Sequence, residues 1–346
     1  MSAADAADAE AESAAPRATA VLFGHTEAAG TLLGAYRSSR LPHAWLIGGP
    51  PGIGKATLAY RMARYVLAHP DPAAPAVQAA TSLAIPDEHP VSRRVAAQGH
   101  PNLLVLERTV GDTGKLRTRI AVDDVRKTVD FFGQTAGEGG WRIAIVDSVD
   151  ELNAQSANAL LKVLEEPPPR ALLLLISHAQ GRVLPTIRSR CRMLTLRSLS
   201  AEDVAHAAAA ASGRAVDEPE LVEAAGLAEG SVGRALTLLE GQALALRKRM
   251  VDLLAGLPNL DPRALHALGD ALGGTEPATL AIFVDTINAW LSARLSHAPS
   301  EPGRTRRIAE AWDKINGAAR DAHEYNLERK PLVFNVFGWL AEAARG

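Results

Sequence analysis

Gly49 to Lys55 (GPPGIGK) is the stretch of this sequence whose residue types and spacing most directly imply chemistry. Glycines such as Gly49, Gly52 and Gly54 let backbone N–H groups converge on phosphate oxygens at a helix N-terminus, and Lys55 adds a point charge beside them. The pattern is incomplete, because Ala56 stands where a Ser or Thr hydroxyl would hold Mg²⁺. Thr57 comes one residue late, turned by about 100° on a helix. Ile143 to Asp147 (IAIVD) is an apolar run ending in a carboxylate, the arrangement that brings Asp147 to a metal's water shell at the end of a strand. Ser148 follows, and serine cannot activate water as a base near neutral pH, whereas general-base help is typically worth roughly 10²–10⁴-fold. Asp150 and Glu151 are nearby carboxylates placed for a loop or a first helical turn. Thr186 to Arg192 (TIRSRCR) is a cluster of arginines, with Arg182 and Arg197 close by. Arginine suits the stabilisation of transferring phosphate charge, in cis or from a neighbouring subunit, although an isolated cluster reads as a solvated face.

Strands and helices must hold these residues in place. Leu41 to Gly48 (LPHAWLIG) is a short apolar run feeding the glycines, and Ile53 to Ala68 carries apolar residues at helical spacing. Pro101 to Leu106, Trp141 to Val146 and Ala171 to Ser177 read as further strands, the last two apolar enough to be buried on both faces as in a parallel sheet. Asp123 to Phe132 places Val125, Val129 and Phe132 on one helical face. Ala154 to Glu165 sets Ala157, Leu160, Leu161 and Leu164 at i, i+3, i+4 and i+7 and stops at Pro167 to Pro169. This alternation predicts a doubly wound α/β layer with right-handed connections. The expected division is a disordered tail over 1–16, an α/β domain over 17–198, a small helical domain over 199–242 and a C-terminal helical domain over 243–346. Ala73 to Gly99 reads as an insertion or a loop with short helices.

Composition narrows the class. The 346 residues are 47% hydrophobic without any run near the roughly 18 apolar residues of a membrane-spanning helix, so no membrane role is expected. Aromatic residues are only 4%, which favours small-residue helical interfaces over aromatic-rich sheets. Cys191 is the single cysteine, which excludes an internal disulfide and a Cys-based zinc site and fits a reducing, cytoplasmic setting. A net charge of −2, from 37 basic and 39 acidic residues, lacks the bulk positive charge that non-specific DNA binding exploits. Arg247, Lys248 and Arg249 adjoin, but on a helix they occupy different faces and read as solvent-exposed or subunit contacts. Near the C-terminus Leu332, Val333, Val336, Phe337 and Leu340 form an apolar stripe that fits core and subunit interface equally well.

HAWLIGGPPGIGKATLAYRMARYVL, WRIAIVDSVDELNAQSANALLKVLEEPPP and LPTIRSRCR, followed by GSVGRAL at Gly230 to Leu236, resemble the clamp-loader subunits of bacterial DNA polymerase III, and within them the delta-prime kind. The resemblance spans most of Leu22 to Leu239 and implies an AAA+ P-loop module, a helical lid and an all-α collar domain that joins other subunits in a ring. It implies that Arg190, in Ser189-Arg190-Cys191, is an arginine finger reaching ATP on an adjacent motor subunit. Arg234 matches the sensor-two arginine, and Ser177 or His178 the sensor-one position. Motor subunits carry a hydroxyl and a glutamate where this chain has Ala56 and Ser148, so the resemblance implies a stationary partner with little turnover of its own. No cofactor and no metal would be required. ATP binding without hydrolysis, through Gly49, Gly52, Gly54, Lys55, Thr57, Asp147 and Arg234, stays open. The implied partners are the gamma/tau motor and delta subunits, with the sliding clamp and primed DNA reached through the assembly. Many relatives carry a four-cysteine zinc module where Ala73 to Gly99 has no cysteine, and His89 and His100 are left as loop histidines. The competing reading is an active AAA+ ATPase, a motor subunit or a helicase-like loader, with Thr57 and Asp150 as stand-ins. A P-loop kinase of small metabolites would leave the long helical stretch after Leu199 without a use.

Overall fold

The computed structural model describes residues 15–19, 21–108, 120, 122–133, 140–273, 277–296, 302–325 and 327–345. The expected tail, 1–16, lies outside them except for its last two residues. The chain divides into two compact units, Met1–Ala235 and Leu236–Gly346. The segment expected as a lid, 199–242, straddles that division, and most of it is grouped with the α/β elements.

In the first unit α1 (Thr26–Arg37) precedes β1 (Ala44–Gly48) and α2 (Lys55–Ala68). Two short helices, α3 (Pro75–Ala79) and α4 (Pro90–Ala96), occupy the insertion before β2 (Leu103–Glu107). His89 accepts the Val91 N–H at 3.2 Å and so caps α4, and His100 accepts the Asn102 N–H at the same distance. Both serve as loop histidines that satisfy backbone donors. The chain continues through α5 (Val122–Gly133), β3 (Arg142–Asp147), α6 (Ala154–Glu165), β4 (Ala171–Ser177), α7 (Pro185–Arg188) and β5 (Arg192–Thr195). Among the described residues these strands form one parallel sheet in the order β2-β3-β4-β1-β5.

Side chains of a strand alternate between faces, and the sheet is covered on both. Trp45, Ile47, Ile143, Ile145, Leu172 and Leu174 enter one core with α1 and α2, whereas Ala44, Leu46, Ala144, Val146, Leu173 and Leu175 enter another with α5 and α6. Each fully buried Leu or Ile contributes about 1.5–3 kcal/mol relative to exposure, so the central strands β4 and β1 anchor the layer. Asn153 caps α6 by accepting the Ser156 N–H at 2.8 Å, and Ala157, Leu160 and Leu164 face inward as their spacing predicts.

Two details differ from expectation. Val129 is 37% exposed and Thr128 is buried in its place. At about 100° per residue the stripe through 125, 128 and 132 centres on the Thr128 side of Val125, which leaves 129 on its far edge. Strand β5 was not foreseen. It starts at the last residue of the arginine run and buries only Leu194, so it lacks the alternating pattern by which a strand is recognised. The α/β layer is followed by α8 (Ala201–Ser212), α9 (Pro219–Leu227) and α10 (Val232–Leu239), the last of which crosses the division between the units.

The second unit contains α11 (Ala243–Ala255), α12 (Pro262–Leu272), α13 (Pro277–Ser296), α14 (Pro302–Glu324) and α15 (Arg329–Arg345). Its core gathers Met250, Leu268, Phe283, Ile287, Leu291 and Ile315 with Leu332, Val333, Val336, Phe337 and Leu340. The C-terminal stripe is therefore core of this unit. Asn288 and Asn316 exchange side-chain hydrogen bonds of 3.2 and 3.1 Å between α13 and α14. Arg247 is buried on α11, and Lys248 and Arg249 beside it are exposed. Among the described residues no helix is long and apolar enough to cross a membrane.

Candidate functional site

The loop between β1 and α2 is the Gly49 to Lys55 motif. Gly49 and Gly52 hold φ values of +151° and +73°, which disfavour any side chain. A Cβ at Gly49 would meet the Leu196 carbonyl oxygen at 2.5 Å, and one at Gly52 would meet Ser231 Oγ at 2.2 Å. Both glycines are thus required by close approach of other segments.

Every carbonyl from Gly49 to Gly54 receives a donor. Lys55 Nζ donates to Gly49 O at 2.7 Å and also to Pro50 O. Ser231 Oγ donates to Pro51 O at 3.0 Å, and the Gly233 N–H to Gly52 O at 3.1 Å. His25 Nε2 donates to Ile53 O at 2.7 Å, and the Leu58 N–H to Gly54 O at 3.0 Å. The start of α10 is thereby latched to the loop, and the lysine is folded onto its own backbone. Sequence reasoning passed over His25 and the role of Ser231. Ser231 does carry a cap signal, since its hydroxyl also accepts the Arg234 N–H at 3.2 Å.

If the latch depends on this close fit, Gly52→Ala should open it while the sheet stays intact. The expected result in hydrogen exchange is lost protection at the Gly233 amide with unchanged protection at Ile145 and Leu174. Full protection at Gly233 would show that the contact does not rely on Gly52.

Lys55 is buried, and that burial pushes its pKa down to about 8 although Asp147 and Asp150 pull it back up. Burial pushes Asp147 up to about 6; Lys55 opposes this and Glu107 adds to it. A carboxyl raised above its ordinary 3.8 favours the folded state only while protonated. The stability that Asp147 contributes is therefore fully present below about 3.8, is lost as pH climbs from there through about 6, and stays lost above. Asp147→Asn should flatten that decline in urea midpoints of the first unit; an unaltered pH slope would rule out Asp147 as its source.

Two nearby carboxylates are committed locally. Asp150 Oδ1 accepts the His178 N–H at 3.0 Å, and Glu151 pairs with Arg108 at 3.0 Å. Ser148 is buried beside Asp147, and the buried Ser177 Oγ has no hydrogen-bond partner among the described residues. Ala56 packs against the core, and Thr57, half-buried in the first turn of α2, makes no side-chain hydrogen bond among the described residues. The structure thus joins Gly49, Gly52, Gly54, Lys55, Asp147 and Asp150 in one neighbourhood. The Arg234 guanidinium pairs instead with Glu229 at 2.7 Å. The magnesium ion of a nucleotide does not fit these residues, since Ala56, in the position after Lys55, offers a methyl group in place of a hydroxyl.

Arg190 follows α7 and is held differently. Its Nη1 donates to Thr186 O at 2.9 Å and its Nη2 pairs with Glu165 Oε1 at 2.7 Å, with 35% of the side chain exposed. Next to it the Cys191 thiol is pushed up to about 12 by burial, so it stays protonated and inert.

The family described as DNA polymerase III, delta subunit, matches residues 24–200, which include the phosphate loop, Asp147 and Arg190. The chain belongs to this family. The family member is similar to the DNA polymerase III subunit delta' of Pseudomonas aeruginosa, with 41% identity over 43% of this chain and 41% of that one. It is 29% identical to the subunit delta' of Escherichia coli over 65% of this chain and 58% of that one. A subunit gamma of Buchnera aphidicola is 30% identical over 64% of this chain and 58% of that one. The matched stretches thus span between 41% and 58% of these relatives' lengths. In sequence the family member is delta-prime-like.

Proposed function

We propose that the chain is a largely non-hydrolysing subunit of a DNA polymerase III clamp loader and supplies Arg190 to ATP held by a neighbouring motor subunit. In this reading the gamma/tau and delta subunits are its partners, and the sliding clamp and primed DNA are handled in the cytoplasm by the assembly. The observation that carries the reading is a division of equipment. Ala56 and the buried Ser148 deprive the chain's own loop of a metal hydroxyl and a water-activating carboxylate, while Arg190 is held at the surface with donors to spare. No cofactor is required for this role, and a nucleotide taken up by Gly49, Gly54 and Lys55 would remain uncleaved.

The test is reconstitution with motor and delta subunits, comparing the chain with its Arg190→Ala variant for DNA-stimulated ATP hydrolysis. An unchanged rate in a fully formed assembly sinks the proposal. The single chain is expected to show no steady hydrolysis, and turnover abolished by Lys55→Ala would favour a motor.

A further inference from the structure

We propose that Glu165 is a positioning residue for Arg190, one that holds the guanidinium in the orientation in which it meets phosphate on another subunit. The inference rests on the trans role of Arg190 and assigns the group that keeps it ready.

Glu165 is the last residue of α6, where the helix dipole disfavours a carboxylate. Its placement therefore has no local helical benefit, and its counter-charge comes from Arg190, which follows α7. Two of the contacts to Arg190, Thr186 O at 2.9 Å and Ser189 Oγ at 3.4 Å, come from residues at most four positions away. Glu165 Oε1, at 2.7 Å, comes from a separate helix and fixes the second side of the guanidinium. An arginine has five N–H donors in a planar fork. The three contacts leave the Nε–H and one Nη2 N–H for phosphate oxygens. A long side chain gripped on two sides keeps its unclaimed edge in one direction and loses less rotamer freedom when a ligand arrives. An ion pair this exposed is weak, so it biases the orientation without competing seriously with a multiply charged phosphate.

The experiment uses the reconstituted assembly with DNA-stimulated ATP hydrolysis as the readout. Glu165→Ala should lower kcat by about 3- to 10-fold with KM for ATP unchanged, the signature of lost orientation at the reacting phosphate. Glu165→Gln keeps an acceptor oxygen on the same stem and should restore most of the rate. Glu165→Ala added to Arg190→Ala should cost nothing further, because the two act as a unit. Glu166→Gln, on the exposed neighbour, controls for the loss of charge at the helix end. If Arg190→Ala lowers the rate and Glu165→Ala does not, the positioning role is wrong and the trans role survives. A faster rate with Glu165→Ala would show that the carboxylate masks the finger, and would also overturn the inference. A rate indifferent to Arg190→Ala overturns both.

Discussion

If Arg190 meets a neighbour's ATP as proposed, Arg190→Ala should reduce hydrolysis of that nucleotide by roughly 10³-fold, the lower end of what arginine fingers supply in phosphoryl transfer. The size follows from electrostatics. Charge spreads over the equatorial phosphate oxygens in the transition state, and a planar cation held at the right distance needs no reorganisation to meet it. Arg190→Lys should recover only part of the loss, since a point charge on a flexible stem cannot reproduce the fork. The measurement is single-turnover hydrolysis by the assembly, with assembly itself checked by size-exclusion chromatography. Because the side chain is partly exposed and bonded mainly to groups near it in sequence, its removal should leave folding of the chain untouched.

Phe337→Ala should come close to unfolding the C-terminal unit. Phe337 has no exposed surface and lies 6.5 Å from the Phe283 ring centroid, in a core that also holds Ile287, Val333 and Leu340. Truncating a buried phenylalanine costs about 3–5 kcal/mol, through lost transfer energy and the cavity left behind. Domains of ordinary stability have about 5–15 kcal/mol to lose. Urea unfolding followed by circular dichroism should show the transition of Leu236–Gly346 moving to much lower denaturant, with that of Met1–Ala235 unmoved. Tyr325→Ala is the control: the ring is 67% exposed, so a change within about 0.5 kcal/mol is expected. Equal shifts for both variants would mean that Phe337 does not anchor the core.

The phosphate loop, its missing hydroxyl and the strand ending at Asp147 were legible because each is a local pattern. A run of apolar residues, a glycine spacing and an alanine in place of threonine are written in consecutive residues. Leu160 and Leu164 were legible for the same reason, through helical period. What escaped were features made by segments distant in sequence. Nothing near His25 signals that its ring will hold the Ile53 carbonyl, and nothing in GSVGRAL states that Ser231 and Gly233 will seize Pro51 and Gly52. The Arg190–Glu165 pair is likewise a tertiary contact, although both residues lie in stretches with family resemblance. Strand β5 was hidden because an edge position buries one residue in four and so imposes little pattern.

The reciprocal amides of Asn288 and Asn316 carry a consequence for how the last helices can be arranged. Leucines and alanines on facing helices tolerate sliding, because one apolar neighbour serves about as well as the next. A matched pair of carboxamides does not. Shifting one helix by a single turn, about 5.4 Å, would strand donors and acceptors of both side chains and force them to find water. The two asparagines thus act as a detent that gives α13 and α14 one preferred alignment.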